Sequence, residues 1–111
     1  GFITYSNDAK CALLGVSPMT LARYGAVSEQ TTAAMAKGTL ERSEADVSLS
    51  ISGIAGPGGG SKDKPVGTVC FGWARSGEAP QTATCHFTGD REAVRRQAVI
   101  FALEEILRRY P

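Results

Sequence analysis

The sequence predicts an α/β fold in one domain, and three observations carry that prediction. Val47, Leu49 and Ile51 alternate with Ser48, Ser50 and Ser52, the period-two pattern of a strand with one large apolar face and one small polar face. Two further strand-like runs, 66–74 and 81–87, are separated by the turn signals Ser76-Gly77 and Pro80, as in an antiparallel hairpin. Capping signals for helices precede this block and follow it. A length of 111 residues suits one domain, 1–111, with a small core.

Taken in order, Phe2 to Ser6 is β-branched and aromatic and reads as a strand. Asn7 or Asp8 then caps a short helix over 9–14, which Gly15 stops. Ser17-Pro18 pairs an N-cap with proline at the first helical position, and Gly25 closes that helix after Tyr24. Ser28 caps a third helix running to about Arg42, and Glu29 in its first turn complements the positive end of the helix dipole. The serine-faced run from Asp46 fits an interior strand whose serine side is tightly covered. It leads into the glycine-rich segment 53–60. The last helix, from Asp90 to about Tyr110, holds six consecutive apolar residues at 98–103, more than the ~100° stripe of a surface helix. Such a helix needs cover from several directions. With an opening Gly1-Phe2-Ile3 that lacks a polar lead-in, this suggests sequence before Gly1, a subunit interface, or both.

Charge narrows the function. Twelve Lys and Arg against 11 Asp and Glu leave a formal net charge of +1, so no concentrated basic field exists for nucleic acid or a membrane surface. No apolar run approaches the ~20 residues that span a bilayer, and no secretory leader opens the chain, so a cytoplasmic protein is expected. Three cysteines are too few for a disulfide scaffold. Cys70 and Cys85 stand symmetrically about the turn at 76–79, as cross-strand neighbours would, and are read as reduced thiols. With His86 the one histidine, no metal-ligand spacing is present and no metal is expected.

The glycine-rich segment matches neither the phosphate loop nor the dinucleotide fingerprint, because no Gly-Lys-Ser/Thr ends it and Ser61 stands where a third glycine would be. Its bare backbone can still bring N–H groups close to an anionic or amide ligand, or it can serve as a flexible crossover. Tyr5 and Lys10 form a second candidate group. Lys10 falls in the first turn of its helix, where the dipole disfavours an ammonium and pushes its pKa down. A lysine so tuned can act as a general base with a phenol nearby; the alternative is a solvated lysine and a half-buried tyrosine. Arg91 is either a phosphate contact or an ordinary surface arginine, and Arg95 and Arg96 read as a solvated face.

Several segments together resemble one family. Tyr5-Ser6-Asn7-Asp8-Ala9-Lys10, Leu14-Gly15-Val16, 24–29, 52–59, 64–69 and Gly89-Asp90-Arg91 are similar, in order and spacing, to the CinA C-terminal domain, which includes bacterial nicotinamide-nucleotide amidases. The resemblance implies a three-layer α/β/α sandwich with a mixed sheet that includes the antiparallel hairpin. It also implies hydrolysis of nicotinamide mononucleotide to nicotinate mononucleotide and ammonia, with no cofactor. Tyr5 and Lys10 map onto the family's catalytic tyrosine and lysine. Ser52, Gly53, Ile54, Ala55, Gly56 and Arg91 would bind the nucleotide. The family's nucleophilic serine, in a T-A-E-S-C-T-G-G motif, has no counterpart between Gly1 and Pro111; it would lie upstream. The partners implied are a small-molecule nucleotide and further copies of the chain as a homo-oligomer. A non-catalytic nucleotide-binding or oligomerisation domain is the alternative.

Overall fold

The computed structural model describes residues 1–111. Four helices, α1 (Asn7–Leu14), α2 (Pro18–Tyr24), α3 (Glu29–Glu41) and α4 (Arg91–Arg109), surround three strands, β1 (Val47–Gly53), β2 (Thr68–Arg75) and β3 (Gln81–His86). The sheet order is β1-β2-β3 and both pairings are antiparallel. α3 covers one face and α4 the other, so the three layers are present. The parallel member of a mixed sheet is absent from these residues.

Local chemistry explains the helix ends. The Ser6 side chain accepts from the Ala9 amide and caps α1, one residue before the caps expected at Asn7 or Asp8. Gly15 ends α1 with φ of 68°, a conformation in which a Cβ is costly. Ser17 and Ser28 cap α2 and α3 as their sequences predict, and Asp90, where the last helix was expected to begin, caps α4.

The two sheet faces are built differently. On the apolar face Val69, Phe71 and Trp73 pack under Val94, Ala98 and Ala102 of α4, with Phe101 closing on the Phe71 ring at 4.7 Å. Trp73 and Phe71 are fully buried, and each contributes roughly 1.5–3 kcal/mol by leaving water. The Trp73 indole N–H donates to the Ala102 carbonyl, and Arg109 lies 4.2 Å above its ring. On the small face α3 sits almost on the sheet backbone. Ser48 Oγ donates to the Ala36 carbonyl at 2.7 Å, and Ser50 Oγ to that of Thr32 at 2.6 Å. Gly72 of β2 stands opposite Ser50, where a Cβ would run into the Thr32 carbonyl oxygen. The serine repeat is therefore a seat for a helix. A second small cluster, Leu14, Val16, Leu21 and Met35, fastens α1 and α2 to α3.

Three sequence expectations are corrected. Residues 2–6 form no strand: they pair with no neighbour, and the Ile3 and Tyr5 side chains are exposed. β-branched residues favour a pleated surface only where a partner edge supplies the ladder. β1 is an edge strand, not an interior one; β2, buried along nearly its whole length, is the interior strand. Cys70 pairs with Thr84, and Cys85 with Val69, so the two thiols lie on opposite faces of the sheet and both remain free.

Candidate functional site

Five of the predicted catalytic and binding residues, Tyr5, Lys10, Gly53, Ala55 and Arg91, line two neighbouring clefts that share Ile51 of β1. The first, about 460 Å³, runs along the open edge of β1 and is lined by Phe2, Tyr5, Lys10, Met35, Leu49 and Ile51 among others. The second, about 170 Å³, lies between the end of β1 and the first turns of α4, and Gly53, Ala55 and Arg91 contribute to it.

Lys10 is the distinctive group of the first cleft. It is only 7% exposed, and its ammonium donates to the Thr4 carbonyl at 2.8 Å. Burial holds its pKa below the ordinary 10.5, because removing water disfavours the charged form. The direction matches the sequence expectation, but the cause is desolvation and not the helix dipole. The α1 backbone brings this about: Ser6 starts the helix, and Lys10, four residues on, points back under residues 1–5. Tyr5 lines the same cleft but is 97% exposed, with its hydroxyl committed to no partner within the chain.

The glycine-rich loop after β1 is fixed at both ends. The Ile54 amide donates to the Thr68 carbonyl, and the Gly67 amide to that of Ile54. Gly67, with φ of 96°, lets the chain pass the Phe87 carbonyl, where a Cβ would collide. Between these anchors the amides of Ala55, Gly56, Gly58, Gly59 and Gly60 make no backbone hydrogen bond, leaving a run of unspent donors. Arg91 Nη1 donates to the Gly56 carbonyl at 3.0 Å, tying the loop to α4. Ser52 and Ile54 line neither cleft, and neither does Gly56, which is buried beneath the loop.

Other polar side chains have structural work. Glu29 accepts hydrogen bonds from Thr84 and Thr82 of β3, which hold its carboxyl below the ordinary 4.5. The sequence reading gave it only a dipole role. The signal was present, since Thr82 and Thr84 alternate on the strand face that α3 covers. Lys64 reaches from the loop to the Tyr24 carbonyl at 2.7 Å, a link across 40 residues that no local pattern announces. His86 Nδ1 lies 3.3 Å from Thr68 Oγ1, as a strand residue with a partner. No three His, Cys, Asp or Glu side chains are grouped so as to hold a metal ion, and no helix is long and apolar enough to cross a membrane.

The likeness to known proteins covers the whole of this arrangement. The chain is 58% identical over 110 residues to the nicotinamide-nucleotide amidohydrolase PncC of Enterobacter agglomerans, spanning 99% of this chain and 67% of that one. It is 52% identical over 111 residues to the protein of the same name from Escherichia coli strain K12, with the same coverage. A crystal structure of competence/damage inducible protein CihA from Agrobacterium tumefaciens superposes with a TM-score of 0.93 at 42% identity, covering 96% of this chain and 66% of that one. The chain thus spans about two thirds of the length of these relatives. The sequence model described as the CinA C-terminal domain matches residues 1–110, and the chain belongs to that family.

Proposed function

We propose that this domain forms the base-bearing and nucleotide-binding part of an amidohydrolase that converts nicotinamide mononucleotide to nicotinate mononucleotide and ammonia. The observation that carries the reading is the buried Lys10 amine, its pKa lowered, at the wall of an open cleft. An amine poised toward neutrality can take a proton from an attacking hydroxyl. The names of the relatives supply the substrate class.

In this reading the nucleophile is a serine outside residues 1–111, carried in the additional third of sequence that the relatives possess. The hydroxyl adds to the carboxamide carbon while Lys10 accepts its proton. Lys10 then returns the proton to the departing nitrogen, and Tyr5 turns inward to orient it. Water attacks the resulting acyl-enzyme with the same lysine as base, giving nicotinate mononucleotide. Unspent amides of the glycine loop hold the nucleotide, and one such donor aimed at the developing oxyanion is worth about 10²-fold or more in rate.

The experiment is ammonia release from nicotinamide mononucleotide. The chain preceded by the family's upstream segment turns the substrate over, and its Lys10→Ala form binds nucleotide without releasing ammonia. Full turnover by Lys10→Ala would remove the base assignment. A second reading, an assembly domain, is favoured by one feature. Val99, Ile100, Leu103 and Leu107 form an exposed stripe on α4, with Leu103 55% and Leu107 73% accessible. Sedimentation of the chain distinguishes a monomer from an assembly formed through that stripe.

A further inference from the structure

We propose that Lys64 is a positioning residue: it ties the glycine-rich loop to the end of α2 and so holds the loop's free amides ready for the nucleotide, without touching the nucleotide itself. The proposal rests on the nucleotide reading above and adds to it the device that keeps the loop in shape.

The loop between β1 and β2 has little of its own to hold it. Its base is closed where Ile54 bonds with Thr68 and Gly67. Farther out, Gly56, Gly59 and Gly60 all take positive φ, and glycine in such a run is free to move unless something outside holds it. A small turn inside the loop joins Ser61 and Lys64: the Ser61 amide donates to the Lys64 carbonyl at 2.9 Å, and the Lys64 amide to Ser61 Oγ at 3.1 Å. Away from the strand ends, two hydrogen bonds fasten the loop to the rest of the chain. One runs from Arg91 of α4 to the Gly56 carbonyl, and the other from Lys64 Nζ to the Tyr24 carbonyl. α4 lies on one face of the sheet, whereas α2 is fastened to α3 on the other. The loop is therefore held from both outer layers, and Lys64 supplies the hold on the α2 side.

The place where Lys64 lands suits a cation. Tyr24 ends α2, and the last carbonyls of a helix have no partner within it and carry the negative end of its dipole. Gly25, next in the chain, would bring a Cβ within 3.2 Å of Lys64 Nζ, so the lysine passes over a residue whose missing side chain leaves it room. Two carboxylates, Glu29 and Asp63, line the cleft that Lys64 shares with Tyr24, yet Lys64 forms an ion pair with neither. Glu29 is already taken by Thr82 and Thr84. Lys64 also lines neither of the two clefts assigned to the substrate. Its charge is spent on the backbone of α2, and its effect on a ligand passes through the loop. A site that is formed only part of the time loses apparent affinity in proportion to that fraction. With the tie cut, the run 58–60 is expected to hold its present arrangement about one fifth of the time, which weakens nucleotide binding about fivefold.

The test compares the 111-residue chain as wild type with two variants. Lys64→Met keeps much of the stem and removes the donor, and Lys64→Arg restores a donor. Without ligand, ¹⁵N relaxation of Lys64→Met should show the order parameters of Gly58, Gly59 and Gly60 falling to about 0.6 or below. The amides of Ile54, Gly67, Phe71 and Trp73 should keep wild-type values, which separates release of the loop from unfolding. Lys64→Arg should regain most of the lost order. Nicotinamide mononucleotide should bind Lys64→Met about fivefold more weakly than wild type, and Lys64→Arg within about twofold of it. The loss should be the same at about 20 mM and about 300 mM salt, because salt screens a direct ion contact with the ligand but not the cost of ordering a loop. Unchanged order parameters in Lys64→Met, a loosened loop that binds as tightly as wild type, or a loss of affinity that disappears in high salt would each overturn the proposal. If wild type itself does not bind the mononucleotide, the nucleotide reading falls. Loop order lost in Lys64→Met and regained in Lys64→Arg then still upholds Lys64 as the residue that holds the loop.

Discussion

Replacing Gly72 with Ala probes the close seating of α3 on the sheet, which places Met35 and Thr39 at the wall of the first cleft. A Cβ at residue 72 would overlap the Thr32 carbonyl oxygen and come within 2.7 Å of Ser50 Oγ. Ordinary contacts begin near 3.4 Å, so α3 must rise by roughly 1 Å. That displacement stretches the 2.6 Å bond from Ser50 and the 2.7 Å bond from Ser48 past useful length, at about 0.5–1.5 kcal/mol each. Lost packing along α3 adds a further 1 kcal/mol or so, and the better strand propensity of alanine returns about 0.5–1 kcal/mol. The net destabilisation is about 1–3 kcal/mol, a fall of roughly 5–20 °C in melting temperature for a domain of this size. Urea melts of Gly72→Ala and of Ser50→Ala/Gly72→Ala read it directly. In the double variant the serine overlap is gone but the carbonyl overlap stays, so most of the loss should persist. A loss below about 0.5 kcal/mol would show that the seat is not tight and that the serine repeat has no such role.

Thr84→Val removes the hydroxyl that contributes most to holding the Glu29 carboxyl low, so NMR titration should find that group moved up toward 4.5. The folded value lies below the unfolded one, so the Glu29 contribution to stability is fully present above pH 4.5 and is lost as pH falls through the folded value. Wild type should therefore lose more stability than Thr84→Val on acidification below pH 4.5, and equal acid sensitivity would contradict the assignment. Leu103→Glu on the exposed stripe of α4 should change the stability of the monomer by less than about 0.5 kcal/mol. The same change should reduce any self-association seen by sedimentation.

Much of the fold was legible because its causes are local. Ser17, Ser28 and Asp90 cap helices through bonds to amides two or three residues away, and Gly15 and Gly25 end helices by their own conformational freedom. The alternation at 47–52 and the two faces it creates also survive, since side-chain period is fixed by the strand itself. What sequence could not supply is the identity of a neighbour. Residues 2–6 have strand composition but pair with no strand, and β1 has the small face of an interior strand yet lies at the sheet margin. The hairpin register differs by one residue from symmetry about 76–79, which is enough to send Cys70 and Cys85 to opposite faces.

The candidate site was legible in the same uneven way. Tyr5, Lys10, the glycine segment and Arg91 were singled out from residue type and order, but not that Tyr5 and Lys10 line one cleft while Gly53, Ala55 and Arg91 line another that shares Ile51 with it. The lowered pKa of Lys10 was expected from position in a helix, whereas its cause is burial of the amine, which donates to the Thr4 carbonyl. Arg95 and Arg96 are exposed on α4, as the reading of a solvated face has it.

The most direct test of the account follows the Lys10 side chain by lysine ¹³Cε NMR, titrated with pH in the absence and presence of nicotinamide mononucleotide. Lys10 should titrate below 10.5, and its resonance should move when the nucleotide is added. An amine that titrates at or above 10.5 and ignores the nucleotide would contradict the claim that this buried lysine faces the substrate as its base.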